Sequence, residues 1–151
     1  MGIRFLASII VATFVISGCS TSPFNVPNEQ QVKPSIVYKE LFVRGVFNWW
    51  EAEERFQLQD GGDGIYSVKV ELIADGQPYD FKLADAIWSP HTNCGFETVA
   101  SELIEGQWYT LYCGSDSQNM QFIPNETGRF FIQVKPSNFS GGDPVLSITQ
   151  I

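Results

Sequence analysis

Histidine occurs once in this chain, at His91, and cysteine three times, at Cys19, Cys94 and Cys113. With so few ligating side chains and no Cys-x-x-Cys pair, neither a zinc site nor a dithiol redox centre is expected, and no metal or cofactor. There is no Gly-x-Ser-x-Gly elbow. The loop Ser89-Pro90-His91-Thr92-Asn93 sets no nucleophile beside its histidine, so His91 reads as a loop residue. Gly61-Gly62 lacks the lysine and downstream helix of a phosphate loop. Asp60 with Asp63 and Asp80 with Asp85 supply carboxylates, yet nothing else marks the cleft that glycoside hydrolysis requires. The chain is not expected to be an enzyme. Positive charge is scarce too: 9 Lys and Arg stand against 17 Asp and Glu in 151 residues, a net charge of −8. Without a basic cluster, such a surface repels nucleic acid and anionic headgroups.

Long apolar runs are absent as well. Arg4 is followed by an apolar stretch from Phe5 to Ile16, shorter than the roughly 20 residues that span a bilayer. It reads as a cleaved export signal. Its end, Ile16-Ser17-Gly18-Cys19, resembles a bacterial lipobox, which implies cleavage before Cys19 and acylation of that residue. Several acyl chains at about 0.8 kcal/mol per buried methylene hold a protein at a membrane without spanning it. Ser20, in place of the aspartate that some bacteria read as an inner-membrane signal, points to the outer membrane of the cell envelope. Residues 1–18 are thus the expected signal peptide and residues 19–37 an acylated cysteine with a flexible tether, rich in Pro, Ser and Gln and free of hydrophobic period.

From Cys19 onward 133 residues remain, enough for one core and not two. With Cys19 given to lipid in an exported chain, Cys94 and Cys113 are expected to form a disulfide. Residues 38–151 read as strand after strand. Leu41 to Phe47 is an apolar β-rich run, Gly64 to Leu72 alternates by two, and Asp60-Gly61-Gly62-Asp63-Gly64 between them is a turn, too poor in oxygen ligands for calcium. Further strands are expected at Pro78–Asp85, Gln107–Cys113 and Asn119–Ile123. Gly128–Lys135 and Pro144–Ile151 make a closing hairpin across Ser137 to Asp143. Phe96 to Glu105 suits either a short helix or a strand. Seven to nine short strands with Gly-rich turns predict an antiparallel β-sandwich.

Three stretches in order carry a family resemblance: Phe42-Val43-Arg44-Gly45-Val46-Phe47-Asn48-Trp49-Trp50, Gly64-Ile65-Tyr66-Ser67-Val68, and Tyr79-Asp80-Phe81-Lys82-Leu83-Ala84-Asp85-Ala86-Ile87-Trp88-Ser89. Together with the closing hairpin they resemble the early-set immunoglobulin-like modules attached to bacterial pullulanases. They are similar, more distantly, to the glycogen-binding module of the AMP-activated kinase β subunit. The resemblance implies an immunoglobulin-like sandwich that binds α-glucan by aromatic stacking. Matched residue by residue, it offers Trp50, Lys82, Trp88 and Asn119 as the sugar platform. The interval from Lys82 to Trp88 is one residue shorter than in the kinase module, and an insertion carrying Cys94 follows.

The physical case stands beside the resemblance. A sugar ring presents C–H groups on its face and hydroxyls at its rim, so flat aromatic rings and long donors complement it. On an extended backbone the adjacent Trp49 and Trp50 point to opposite sides, one to core and one to solvent. Trp108 serves as the core tryptophan whose loss would destabilise the fold. Two functions remain open. One is a non-catalytic lipoprotein that binds glycogen- or starch-type α-glucan at the envelope. The other is a structural or adaptor lipoprotein that uses the sandwich against an envelope protein partner.

Overall fold

The computed structural model describes residues 33–99, 102–137 and 142–151. The expected signal peptide, Cys19, most of the tether and the middle of the last hairpin's loop lie outside the described residues. Ten strands occur among those described: β1 Phe42–Gly45, β2 Gln59–Asp60, β3 Tyr66–Leu72, β4 Tyr79–Ala84, β5 Cys94–Gly95, β6 Tyr109–Thr110, β7 Tyr112–Cys113, β8 Met120–Phe122, β9 Gly128–Lys135 and β10 Val145–Gln150. Every pairing is antiparallel. One sheet runs β1-β4-β5-β7 with β8 also on β4, and the other runs β2-β3-β9-β10-β6. The protein is an all-β sandwich.

The alternation of the sequence sets the second sheet. In β3, Val68, Val70 and Leu72 are buried while Lys69 and Glu71 are exposed, and their register partners in β9 repeat the pattern, Val68 opposite Ile132 and Val70 opposite Phe130. Leu146 and Ile148 of β10 extend this inner face. Val43, Phe81, Leu83, Met120 and Phe122 supply the facing layer from the first sheet. Between β2 and β3 the expected turn forms, with the Asp60 carboxylate accepting from Gly62 N–H at 2.8 Å and Asp63 from Ile65 N–H at 2.9 Å.

Three expectations change, and one left open is decided. The run expected as one strand from Leu41 to Phe47 leaves the sheet at Gly45, where a 3-10 turn, Val46–Asn48, begins. Gln107–Cys113 is not one strand: β6 joins the second sheet and β7 the first, the chain crossing between layers at buried Leu111, whose N–H donates to Pro144 O at 2.9 Å. No helix forms among the described residues of Phe96–Glu105; Phe96 instead bridges Gln118. The sandwich also holds the chain before residue 38, since Lys33 is ion-paired with Asp143 and Ile36 packs against the core.

The disulfide is present. Cys94 and Cys113 are register partners of β5 and β7 with Cα atoms 4.0 Å apart, both buried. Closing a loop between residues 19 apart stabilises the fold by about 3 kcal/mol through the unfolded state. Trp108 is not core. It is 40% exposed on the outer face of the second sheet, with Lys135 Nζ 3.9 Å from its ring centroid, so its truncation opens no cavity.

Candidate functional site

The outer surface beside β1 and β4 gathers three tryptophans. Trp49 and Trp50 follow the turn that ends β1, and Trp88 follows β4. The Trp50 and Trp88 ring centroids lie 6.4 Å apart with their planes inclined by 40°. The resemblance left open whether these two share one groove, and the structure brings them side by side. The adjacent pair does not divide between core and solvent as an extended backbone would require. Trp49 is 86% exposed and Trp50 half-buried, because both sit in a turn rather than a strand. Ile87, 82% exposed, extends the apolar surface next to Trp88.

The local sequence builds this turn. Asn48, buried, accepts from Gly45 N–H at 2.8 Å through its side-chain oxygen and donates to Val43 O at 2.9 Å. Trp50 N–H closes the loop on Gly45 O at 2.9 Å. Position 45 must be glycine, since a Cβ there would lie 2.5 Å from Asp80 O and 2.7 Å from Phe81 Cβ. On the other loop, the Asp85 carboxylate accepts from Ile87 N–H at 3.1 Å and Ser89 N–H at 2.9 Å. Burial works to raise the Asp85 pKa, but the hydrogen bonds from Ser89 and Ile87 outweigh it and hold the carboxyl below its ordinary range.

Arg44 joins the two loops. Its side chain is 5% exposed. Nε donates to Trp50 O at 2.6 Å and one terminal nitrogen to Asp85 O at 2.9 Å, while the guanidinium carbon sits 4.0 Å from the Trp88 ring centroid. Burial pushes the Arg44 pKa down, offset only in part by the nearby Glu51 and Asp85 carboxylates, and a guanidinium starts so basic that it stays a cation under the Trp88 ring. Among the described residues, the non-glycine positions with positive φ are Trp49 at 54°, Trp50 at 64° and Trp88 at 61°. Bulky residues in that region cost about 1–2 kcal/mol each, and such strain gathers where a function fixes the backbone.

The other expected platform residues are elsewhere. Lys82 stands opposite Arg44 in the register but is 7% exposed, with its ammonium donating to Ser117 O at 2.5 Å. The Phe96–Gln118 bridge lies over β5 so closely that a Cβ on Gly95 would meet Gln118 O at 2.0 Å, and this cover is what hides the lysine. Burial lowers the Lys82 pKa, with Asp116 opposing. Lys82 is therefore corrected from sugar donor to buried strut. Asn119 is exposed, in a separate groove beyond Lys82. Sequence reasoning missed Arg44 and Trp49, although a lone cation inside Phe42-Val43-Arg44-Gly45-Val46 was a signal that something must satisfy it. Cys19 lies outside the described residues.

The sequence matches no protein-family profile and no curated protein. In three dimensions the chain is similar to the ligand-induced structure of the AmyP starch-binding domain, with a TM-score of 0.55 and 18% identity over 95% of this chain and 96% of that one. The two share a fold.

Proposed function

We propose that this protein is a non-catalytic, lipid-anchored receptor for α-glucan of the glycogen and starch type at the bacterial envelope. The observation that carries the reading is the coincidence of three tryptophans in the left-handed backbone region, two of them, Trp50 and Trp88, held by one buried arginine. A core has no use for an indole held at a cost in solvent, whereas a sugar face does. The 40° between the Trp50 and Trp88 rings suits a curving chain such as an α-1,4-glucan better than a flat ribbon, which would favour coplanar rings. The fold shared with a starch-binding domain supports the same reading. The adaptor alternative explains the exposed Trp49 and Ile87 but not the strain at all three tryptophans.

Two experiments test it. The protein should be retarded in native gels containing glycogen or amylopectin, at the millimolar to micromolar strength expected of a few stacked rings. Equal mobility with and without glucan would leave the adaptor as the better account. The anchor is tested separately. Cys19→Ser removes the thiol that accepts lipid, so the variant should leave the membrane fraction or remain uncleaved; a processed, acylated Cys19→Ser protein in detergent micelles would overturn the lipoprotein assignment.

A further inference from the structure

Beyond Lys82 on the same outer face lies a polar groove of about 280 Å³, lined by Asp80, Ser117, Gln118, Asn119 and Gln121, with Val99 at its rim. Asp80 and Gln121 are register partners of β4 and β8, so both side chains leave the sheet on one side. That side is the outer one, because their neighbours Phe81, Met120 and Phe122 are buried between the sheets. Arg44 stands on it too, opposite Lys82. Two residues along a strand and one strand across put the Asp80 backbone about 8 Å from that of Arg44, on which Trp88 stacks.

One atom of a residue that lines the groove is unexplained. Asp80 Oδ1 is buried and no hydrogen-bond donor reaches it among the described residues. A carboxylate oxygen left without a donor is costly, and such sites in folded proteins call for a reason. The last torsion of aspartate is broad, so a modest rotation brings either oxygen to the groove. What the groove offers is a strong acceptor beside the side-chain amides of Asn119, Gln118 and Gln121, which both donate and accept. That set complements vicinal hydroxyls, each of which donates and accepts as well. It does not suit an anion, which Asp80 repels. Nor does it suit a divalent cation, since no cluster of three or more His, Cys, Asp or Glu occurs among the described residues.

We propose that this groove is a second sugar subsite, which takes glucosyl units further along the chain stacked on Trp50 and Trp88. The inference rests on the glucan-binding reading above. It makes Asp80 a specificity residue for oligosaccharide length, with Gln121 and Asn119 as its partners, and gives Asn119 a place in binding that is not on the aromatic platform. Lys82 lies between the two subsites as a buried support for the Ser117 wall.

The test is calorimetric titration of the full chain, in detergent, with maltose and with maltoheptaose. A longer chain offers more registers to every variant alike, so the decisive quantity is the ratio of the two affinities in wild type against variant. Asp80→Ala and Gln121→Ala are each expected to lower that ratio by about tenfold. An unchanged ratio in both variants would overturn the subsite, and so would an equal loss toward both sugars, which marks a structural role. Should Asp80→Ala fail to fold in a thermal melt, Gln121→Ala decides alone. Wild-type protein that binds both sugars equally removes the subsite and spares the platform. Wild-type protein that binds neither removes both.

Discussion

Arg44→Ala is expected to lower the melting temperature by about 10 °C and to abolish measurable glucan retardation. The guanidinium is buried and donates to the carbonyls of Trp50 and Asp85, one in each tryptophan-bearing loop. Truncation strands both acceptors and removes six heavy atoms, those of the guanidinium lying beneath the Trp88 ring. At roughly 1–3 kcal/mol for each acceptor left without a donor, and toward the lower end because both carbonyls are only part-buried, the loss is about 2–4 kcal/mol. For a domain of this size that corresponds to the melting shift given above. The hydrogen bonds within each loop remain, but nothing then ties the loop of Trp50 to the loop of Trp88, and relaxation toward ordinary backbone angles would carry the rings apart. Arg44→Lys should fall between, because an ammonium is a point donor that cannot span two loops or lie flat under an indole. Near-UV circular dichroism reads the indoles directly. If Arg44→Ala keeps the wild-type aromatic spectrum and melting point, the two loops are held by something other than this side chain, and the platform is not built as described.

How much of this was legible beforehand depends on range along the chain. β3 and β9 were readable because alternation over seven residues in the one and, Phe131 aside, over eight in the other leaves one face apolar, and burying that face fixes the register. The Cys94–Cys113 pair was readable by count and compartment. The crossing at Leu111 was not, since an alternating run looks the same whether it stays in one sheet or changes layer; only the positions of Pro144 and Cys94 decide it. The order of three motifs offered Trp50 and Trp88 as members of one platform but left open whether they meet, which only the two loops in space decide. Trp49 was misjudged because period-two reasoning presumes an extended backbone, and the backbone here turns left-handed at that residue. Lys82 was misjudged for a different reason. It is covered by Gln118, which reaches it through a bridge 22 residues from Phe96, and no pattern local to Phe81-Lys82-Leu83 could announce that.

Strain at the tryptophans supplies the other large prediction, in which stability and binding move in opposite directions. Trp49 is 86% exposed with a φ of 54°, so its indole gains little from the fold and its backbone costs something. Glycine tolerates that angle freely. Trp49→Gly is therefore expected to keep or raise the melting point, by up to about 1 kcal/mol of stability, while weakening glycogen binding. Trp50→Gly and Trp88→Gly relieve the same strain but lose the packing between the rings and, for Trp88, the stack on Arg44. These two gains and losses nearly cancel, so both variants should melt close to wild type. Their affinity for glucan should nevertheless fall at least tenfold, about 1.4 kcal/mol, because each removes one of the two rings that a sugar would touch. Trp108→Gly, on the outer face of the other sheet, is the control and should leave retardation unchanged. Evolution has no reason to keep a bulky side chain in a conformation that glycine would adopt at no cost unless the side chain is used. If the three glycine variants at positions 49, 50 and 88 bind glycogen as well as wild type does, the strained indoles serve some other contact, and the apolar surface they form with Ile87 must be assigned to a protein partner instead.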